Sequence, residues 1–334
     1  MSDHVVETKC LTKRYGEFVA LDALSIHVDR GQIMGFIGPN GAGKTTTIKI
    51  LVGLSRPTSG AAFITGINCS ENASKIKRLV GYMPDRFGSY DNMRVHEYLD
   101  FFGAIFGMHR RDRRSRIAEV MELTDTTYMQ DKFVESLSHG MQQRVGIART
   151  LLHDPEVLIL DEPANGLDPK ARIEMRQLLL RLASEGKTLI VTSHILPELA
   201  RICDTVAIVG GGKVRAFGPL DEVMRSVCPL RSYEVQLANP EQLAHAAEIL
   251  GKTLRASEPI TLSRAERVLR FPTLRSEVEL AELLKGLIAE NILVSQFREV
   301  ASDLEGAFLS ISGEDATSPS TANQVETKVG LVVN

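Results

Sequence analysis

Residues 38–45 form a glycine-rich segment that ends in Lys44 and Thr45 and fits the pattern G-x-x-x-x-G-K-[ST]. Glycines let backbone N–H groups close around phosphate oxygens. Lys44 would then reach the β- and γ-phosphates, and the Thr45 hydroxyl would be a ligand of Mg²⁺. A chance glycine-rich turn is the alternative, and it arises in about one chain per hundred of this length. The residues expected to hold a nucleoside triphosphate are Gly38, Pro39, Asn40, Gly41, Ala42, Gly43, Lys44, Thr45 and Thr46.

Two adjacent acids, Asp161 and Glu162, follow the apolar residues 157–160. Carboxylates at the carboxyl end of a parallel strand face the ligand crevice, so Asp161 is expected to bind Mg²⁺ directly or through water. Because successive strand residues point to opposite sides, Glu162 is expected on the other side of the strand, where it can polarise an attacking water. A strand that ends in two solvated acids is the alternative, and the nearby phosphate loop favours the catalytic interpretation.

The segments that must position these residues predict an α/β fold with a mostly parallel sheet covered by helices. Together with the phosphate-loop motif, this resembles a P-loop NTPase. Apolar runs without alternation are typical of strands buried on both faces. Such runs occupy residues 33–37, 157–160, 188–191 and 206–209. The first of these runs leads through the glycine-rich turn into a helical stretch over residues 44–54.

The pattern restarts after Cys228 and Pro229 and predicts a second, smaller α/β domain. Strand, helix, strand, helix and strand are expected over residues 233–237, 241–250, 267–271, 276–290 and 292–297. Residues 313–334 follow as a tail that we expect to be disordered, because Ser, Thr and Glu dominate it through residue 327.

Composition excludes several other classes of protein. The net charge of −3 over 334 residues gives no support for nucleic-acid binding through bulk positive charge. No apolar run approaches the about 20 residues of a membrane helix, and the first ten residues lack the apolar core of a signal peptide. The cysteines, without CxxC spacing, are expected to be reduced thiols of a cytosolic protein; they are Cys10, Cys69, Cys203 and Cys228. Any role at a membrane would therefore come through a partner.

The segment Leu137-Ser138-His139-Gly140-Met141-Gln142-Gln143-Arg144 resembles the LSGGQ-type signature that is specific to ABC ATPases. The resemblance covers residues from about 5 to 228. It implies an ATP- and Mg²⁺-dependent ATPase domain over residues 1–228, with an ABC-type helical subdomain at about 86–155, and leaves residues 229–312 as the small C-terminal domain. It also implies an ATP-dependent dimer, in which Ser138, His139, Gly140 and Met141 act on the ATP of the other subunit.

The other motifs of the family follow in its order. Tyr15 stands where an aromatic residue stacks on adenine, and Asp168 lies in the loop that crosses the dimer interface. His194 stands where a histidine contacts the γ-phosphate, which gives it, with Glu162, a catalytic role. Taken singly, each residue has a structural alternative. Tyr15 could be a packed aromatic residue, Asp168 part of a turn before a helix, and His194 a histidine whose hydrogen bonds are satisfied at the surface or in the core. For Ser138 the alternative is a simple helix N-cap.

Two positions depart from the family pattern. Asp85 replaces the family's Gln, and its carboxylate is a third candidate to approach Mg²⁺. An acid at this position, followed by the aromatic-rich residues 90–102, is a pattern that resembles exporter ATPases of the multidrug, antibiotic and polysaccharide type. His139 replaces the first signature Gly; a solvated helix-end side chain is preferred over a residue that modifies nucleotide affinity.

The implied function is the ATP-hydrolysing subunit of an ABC transporter of the exporter type. Its partner would be an integral membrane permease, which would hold the chain at the inner face of the cell membrane. An ABC ATPase of DNA repair or translation is one alternative, but the chain has one phosphate loop and no long heptad run. An importer subunit is another, and mainly Asp85 and the short C-terminal domain separate it from the exporter interpretation. Residues 304–309 resemble the "LEdaF" ending of exporter ATPases. An ordinary amphipathic helix explains the same residues equally well. The basic run 109–116 is a solvated helix face or a contact with anionic lipid.

Overall fold

The computed structural model describes residues 4–85, 88, 92–195, 199–227, 231–254 and 260–300. The strands in these residues are β1 His4–Tyr15, β2 Phe18–Asp29, β3 Ile33–Ile37, β4 Ser59–Ile64, β5 Ile67–Asn68, β6 Val80–Met83, β7 Val157–Leu160, β8 Thr188–Ser193, β9 Thr205–Gly210, β10 Lys213–Pro219, β11 Arg231–Leu237, β12 Thr261–Ser263, β13 Val268–Thr273 and β14 Val294–Val300. The helices are α1 Lys44–Leu51, α2 Ala73–Leu79, α3 Val95–Ile105, α4 Arg110–Leu123, α5 His139–Leu151, α6 Pro169–Ser184, α7 Leu220–Val227, α8 Leu243–Thr253 and α9 Glu277–Ala289.

A six-stranded sheet forms the centre of the ATPase part, in the order β10-β9-β3-β8-β7-β6. All neighbours in it are parallel except β10, which returns antiparallel beside β9. Every residue of β3, β7 and β8 is buried, as strands covered on both faces require. The predicted α/β fold with a mostly parallel sheet is therefore confirmed.

The two faces of this sheet pack against different layers. Ile33 and Ile37 of β3 join the core formed with the helices α5 and α6. Met34 and Phe36 point the other way and pack with β1, β2 and α1. This second layer is an antiparallel sheet in the order β2-β1-β4-β5, which the sequence analysis did not predict.

Helix α1 is shorter than the predicted 44–54 because a glycine ends it. Gly53 has a φ of 72°, the left-handed conformation that stops a helix. The Leu54 N–H donates to the Lys49 carbonyl at 2.8 Å, and the Gly53 N–H donates to the Ile50 carbonyl at 3.0 Å. These two bonds form a Schellman motif, which places residues 52–54 outside the helix.

Helices α3, α4 and α5 pack together through apolar side chains that include Val95, Leu99 and Val120. The basic run at the start of α4 is partly neutralised within the chain. Arg113 Nε lies 2.6 Å from Asp100 Oδ1, and Arg116 also pairs with acids. None of the helices among the described residues has the length and apolar character needed to cross a membrane.

The C-terminal module differs from the predicted β-α-β-α-β order, because the short strand β12 precedes β13. The order is β11-α8-β12-β13-α9-β14, and the antiparallel sheet runs β12-β13-β11-β14. This is the split βαβ, ferredoxin-like arrangement. Its own core includes Val235, Leu250, Phe271 and Leu283. The domain limits at 228, 229 and 312 stay predictions, and residues 304–309 and 313–334 lie outside the described residues.

Candidate active site

The glycine-rich loop joins the buried strand β3 to α1, in the context that its sequence pattern requires. Gly43 has a φ of 106°, a conformation that residues with a side chain rarely adopt. A Cβ on Gly43 would also lie 2.6 Å from Leu21 Cδ2 and 2.9 Å from the Ala20 carbonyl oxygen. Only glycine therefore lets the loop sit this close to β2.

Lys44 is the first residue of α1, and its side chain is 7% exposed. Its ammonium donates to the carbonyls of Gly38 and Pro39, the latter at 3.3 Å. Nζ also lies 3.8 Å from Glu162 Oε1. Burial lowers the pKa of Lys44, and the charges of Glu162 and Asp161 act in the opposite direction. A desolvated cation of this kind interacts strongly with an anion brought beside it.

Asp161 follows the last residue of β7 and is 5% exposed. Its Oδ1 accepts a hydrogen bond of 2.6 Å from the Thr192 hydroxyl on β8. Burial raises the pKa of Asp161 most, whereas the bond from Thr192 lowers it. A buried carboxylate with one side-chain donor among the described residues is suited to a cation, which would offset the cost of burying its charge.

Glu162 does not follow the strand alternation that the sequence analysis assumed. β7 ends at Leu160, and Glu162 has a left-handed backbone with a φ of 52°. Its N–H donates to the Thr192 hydroxyl oxygen at 2.9 Å. This turn directs both Asp161 and Glu162 toward the same cavity, rather than to opposite sides of the strand.

His194 follows β8, and its Nδ1 lies 3.0 Å from Glu162 Oε2. Because a carboxylate only accepts, Nδ1 is the donor in this bond when Glu162 is ionised. Glu162 thus lies between Lys44 on one side and His194 on the other. This contact brings together the two residues predicted to be catalytic.

A cavity of about 290 Å³ lies between the loop, the ends of β6 and β7, and β2. It collects seven of the nine predicted loop residues and the three acids predicted to bind Mg²⁺ or activate water, but not Asp168. Its lining is Phe18, Ala20, Pro39, Asn40, Gly41, Gly43, Lys44, Thr45, Thr46, Asp85, Asp161 and Glu162. Gly38 and Ala42 are buried behind the loop and do not line the cavity.

Phe18 was missed by the sequence analysis, which selected Tyr15 as the aromatic residue of the site. The two residues pair across the β1–β2 hairpin. Tyr15 is half exposed beneath the ammonium of Lys13, 4.9 Å from the ring centroid, and is not part of the cavity lining. An aromatic residue on each side of Gly16 was the available sequence signal for this pair.

The signature residues lie at the start of α5, away from this cavity. The Ser138 hydroxyl accepts a bond of 3.4 Å from the Met141 N–H and caps the helix. A Cβ on Gly140 would lie 3.2 Å from Ala171 Cβ of α6. Asp168 caps α6 in turn, through a bond of 2.8 Å from the Ala171 N–H.

His139 is exposed, but its ring makes a hydrogen bond within the chain. The sequence analysis preferred a side chain that contacts solvent alone. Its Nε2 lies 2.9 Å from the carbonyl oxygen of Asn165, in the loop that precedes Asp168. The ring therefore bridges the first turn of α5 and the segment between Glu162 and α6.

Comparisons with known proteins identify the family of the chain. A family model described as ABC transporter matches residues 21–165. The bacitracin transport ATP-binding protein BcrA of Bacillus licheniformis is 44% identical over 66% of this chain and 72% of its own length. The Nod factor export ATP-binding protein I of Ralstonia nicotianae is 32% identical over 94% of this chain and 95% of its own.

Solved structures give the same result. The ATP-binding subunit of an ABC transporter superposes with a TM-score of 0.60 and 31% identity, covering 66% of this chain and 92% of that one. A dimeric ATP-binding cassette in a post-hydrolysis state with ADP and Pi has a TM-score of 0.58 and 28% identity, covering 64% and 98%. The chain therefore belongs to the family of ABC transporter ATP-binding proteins.

Proposed function

We propose that this chain is the ATP-hydrolysing subunit of an ABC exporter and that it drives a separate membrane-spanning partner. The observation that carries the proposal is the single cavity that gathers Lys44, Asp161 and Glu162 beside the phosphate loop. Relatives named for bacitracin transport and Nod factor export support the exporter class over an ATPase of DNA repair or translation.

The hydrolytic roles follow from the contacts around Glu162. Lys44 supplies positive charge to the β- and γ-phosphates. Glu162 accepts the proton of the attacking water, and the bond from His194 Nδ1 fixes the orientation of its carboxylate. The Thr192 hydroxyl fixes the two acids relative to each other, since it donates to Asp161 and accepts from the Glu162 N–H.

The oxygen donors around the cavity fit Mg²⁺. Thr45, Asp161 and Asp85 line it, and hydroxyl and carboxylate oxygens are the ligands that this ion prefers. When bound, the ion would neutralise phosphate charge. Asp161, as the most buried of the three, is the principal candidate.

Hydrolysis is therefore expected to stop on chelation with EDTA and to return when Mg²⁺ is added. Asp161→Asn should raise the Mg²⁺ concentration for half-maximal phosphate release by at least as much as the roughly 10- to 100-fold change that is typical when a residue supporting a metal ligand is replaced. The control is Asp22→Asn, which removes an acid that pairs with Lys213 at the surface. An unchanged Mg²⁺ dependence in Asp161→Asn would remove this acid from the metal site.

A dimer completes the proposed site. The signature residues Ser138, Gly140 and Met141 lie apart from the cavity lining, which supports a role at the nucleotide of a second subunit. The N-terminus of α5 carries a partial positive charge that would attract a γ-phosphate. Asp168 would lie at the interface between the two subunits.

An apolar groove is the proposed docking site of the membrane-spanning partner. It has a volume of about 280 Å³, and its lining includes Leu54, Tyr82, Phe102, Phe106 and His153. Leu54 is 61% exposed and Phe106 is 39% exposed. Tyr82 belongs to β6, and Asp85, just beyond the end of that strand, lines the nucleotide cavity. A partner in the groove would thus be one strand away from the nucleotide.

This docking predicts how the chain associates with membranes. Expressed together with its membrane-spanning partner, the chain should sediment with membranes at their inner face, and alone it should not. Leu54→Glu and Phe106→Glu should each raise the Kd for the membrane-spanning partner about thirtyfold, as expected when an interface residue worth about 2 kcal/mol is lost, and less of the chain should be recovered with membranes.

Tyr128→Glu is the matched control, because Tyr128 is 64% exposed and lies outside the groove. ATP binding and the unfolding temperature should be unchanged in all three variants. Equal sedimentation with and without the membrane protein would argue instead for direct lipid binding by the run 109–116.

A further inference from the structure

The side chain of His139 makes a contact that the signature glycine of the family cannot make. Its Nε2 lies 2.9 Å from the Asn165 carbonyl oxygen. Because a carbonyl only accepts, Nε2 carries the hydrogen. The ring also lies beside Gly166, where an added Cβ would come within 3.5 Å of the ring's Cδ2.

Asn165 connects this contact to the catalytic acid. While its carbonyl accepts from His139, its N–H donates to the Glu162 carbonyl at 3.1 Å. One peptide segment therefore joins the start of α5 to the residue proposed as general base. At the far end, the Leu167 carbonyl accepts a bond of 3.1 Å from Arg172 of α6.

We propose that His139 is a positioning residue that fixes the loop 162–168 against the signature, so that the two move as one unit. The inference rests on the proposed function, in which Glu162 serves the chain's own ATP and the signature serves the ATP of the other subunit. His139 would then couple the two ATP sites of the dimer through the interior of each subunit.

The test compares His139→Gly, His139→Gln and His139→Leu in the full-length chain purified with its membrane partner. The glycine variant lacks the bond, glutamine keeps an N–H donor, and leucine keeps bulk without a donor. His109→Gly is the control, because His109 is an exposed histidine at the start of α4. The measurements are kcat, KM and the Hill coefficient for ATP hydrolysis, with the unfolding temperature.

His139→Gly and His139→Leu should lower kcat about threefold to tenfold, the range expected for one hydrogen bond. Both should bring the Hill coefficient close to one, with KM and the unfolding temperature unchanged, and His139→Gln should restore the parent values. Rescue by Leu as well as Gln would assign the effect to packing and overturn the proposal. Parent-like kinetics in His139→Gly, or a Hill coefficient of one in the parent, would also overturn it.

Failure of the proposed function gives a different result. A parent complex that neither hydrolyses ATP nor dimerises with it would contradict the ATPase assignment itself. A parent that does both, with no response to substitution of His139, would leave the function intact and remove only the coupling.

Discussion

Glu162→Gln is expected to bind ATP, to lose about 10²- to 10⁴-fold in hydrolysis rate, and to accumulate as an ATP-bridged dimer. Glutamine keeps the shape and one acceptor oxygen beside Lys44 and His194, but it cannot take a proton from water. The γ-phosphate that is proposed to join the two subunits would then persist. Light scattering with ATP measures the dimer, and phosphate release measures the rate.

The comparison needs the parent with ATP, the variant with ADP, and Glu156→Gln with ATP. Glu156 precedes β7 at its opposite end and pairs with Arg30 at 2.9 Å, so its neutralisation should change neither quantity. A monomeric Glu162→Gln with ATP, when the complex with the membrane partner also shows no closure, would reject the composite site. Hydrolysis at the parent rate would reject Glu162 as the base.

Lys44→Ala should abolish hydrolysis and weaken ATP binding while leaving the fold intact. The ammonium is buried, and desolvation lowers its pKa, so a phosphate is the group that would best compensate its charge. Loss of a charge-assisted hydrogen bond costs about 1.5–3 kcal/mol, or about 10- to 150-fold in affinity for each bond removed. A fluorescent ATP analogue measures binding.

Lys49→Ala provides the control on the same helix, because Lys49 is exposed and lies in the last turn of α1. It should bind the analogue as the parent does. Thermal unfolding of both variants separates loss of function from loss of structure. Near-parent activity in a folded Lys44→Ala would contradict the role assigned to the loop.

The elements that hold the site were predictable because their patterns are local. β3, β7 and β8 are continuous apolar runs, and a strand buried on both faces needs no other signal. The glycine spacing before Lys44 likewise depends on the geometry of one turn. These features located the loop and both acids from sequence.

The features that were missed depend on contacts between distant segments. β1 and β2 form a bulged hairpin, and its register shifts interrupt the alternation that would have revealed an antiparallel sheet. β12 has only three residues, too few to show a period. The orientation of Glu162 follows from a single left-handed residue, which strand alternation cannot anticipate.

The walls of the proposed ATP cavity belong to two different sheets. Phe18 and Ala20 come from the antiparallel sheet, whereas the phosphate loop and the acids extend from the parallel one. A ligand that contacts both sheets stabilises their association, because it binds only when they are together. At a free ligand concentration of one hundred times the Kd, this stabilisation is about 2.7 kcal/mol. Bound nucleotide would thus serve as part of the packing between the two sheets. Local opening of the β1–β2 hairpin would therefore become rarer when the cavity is filled.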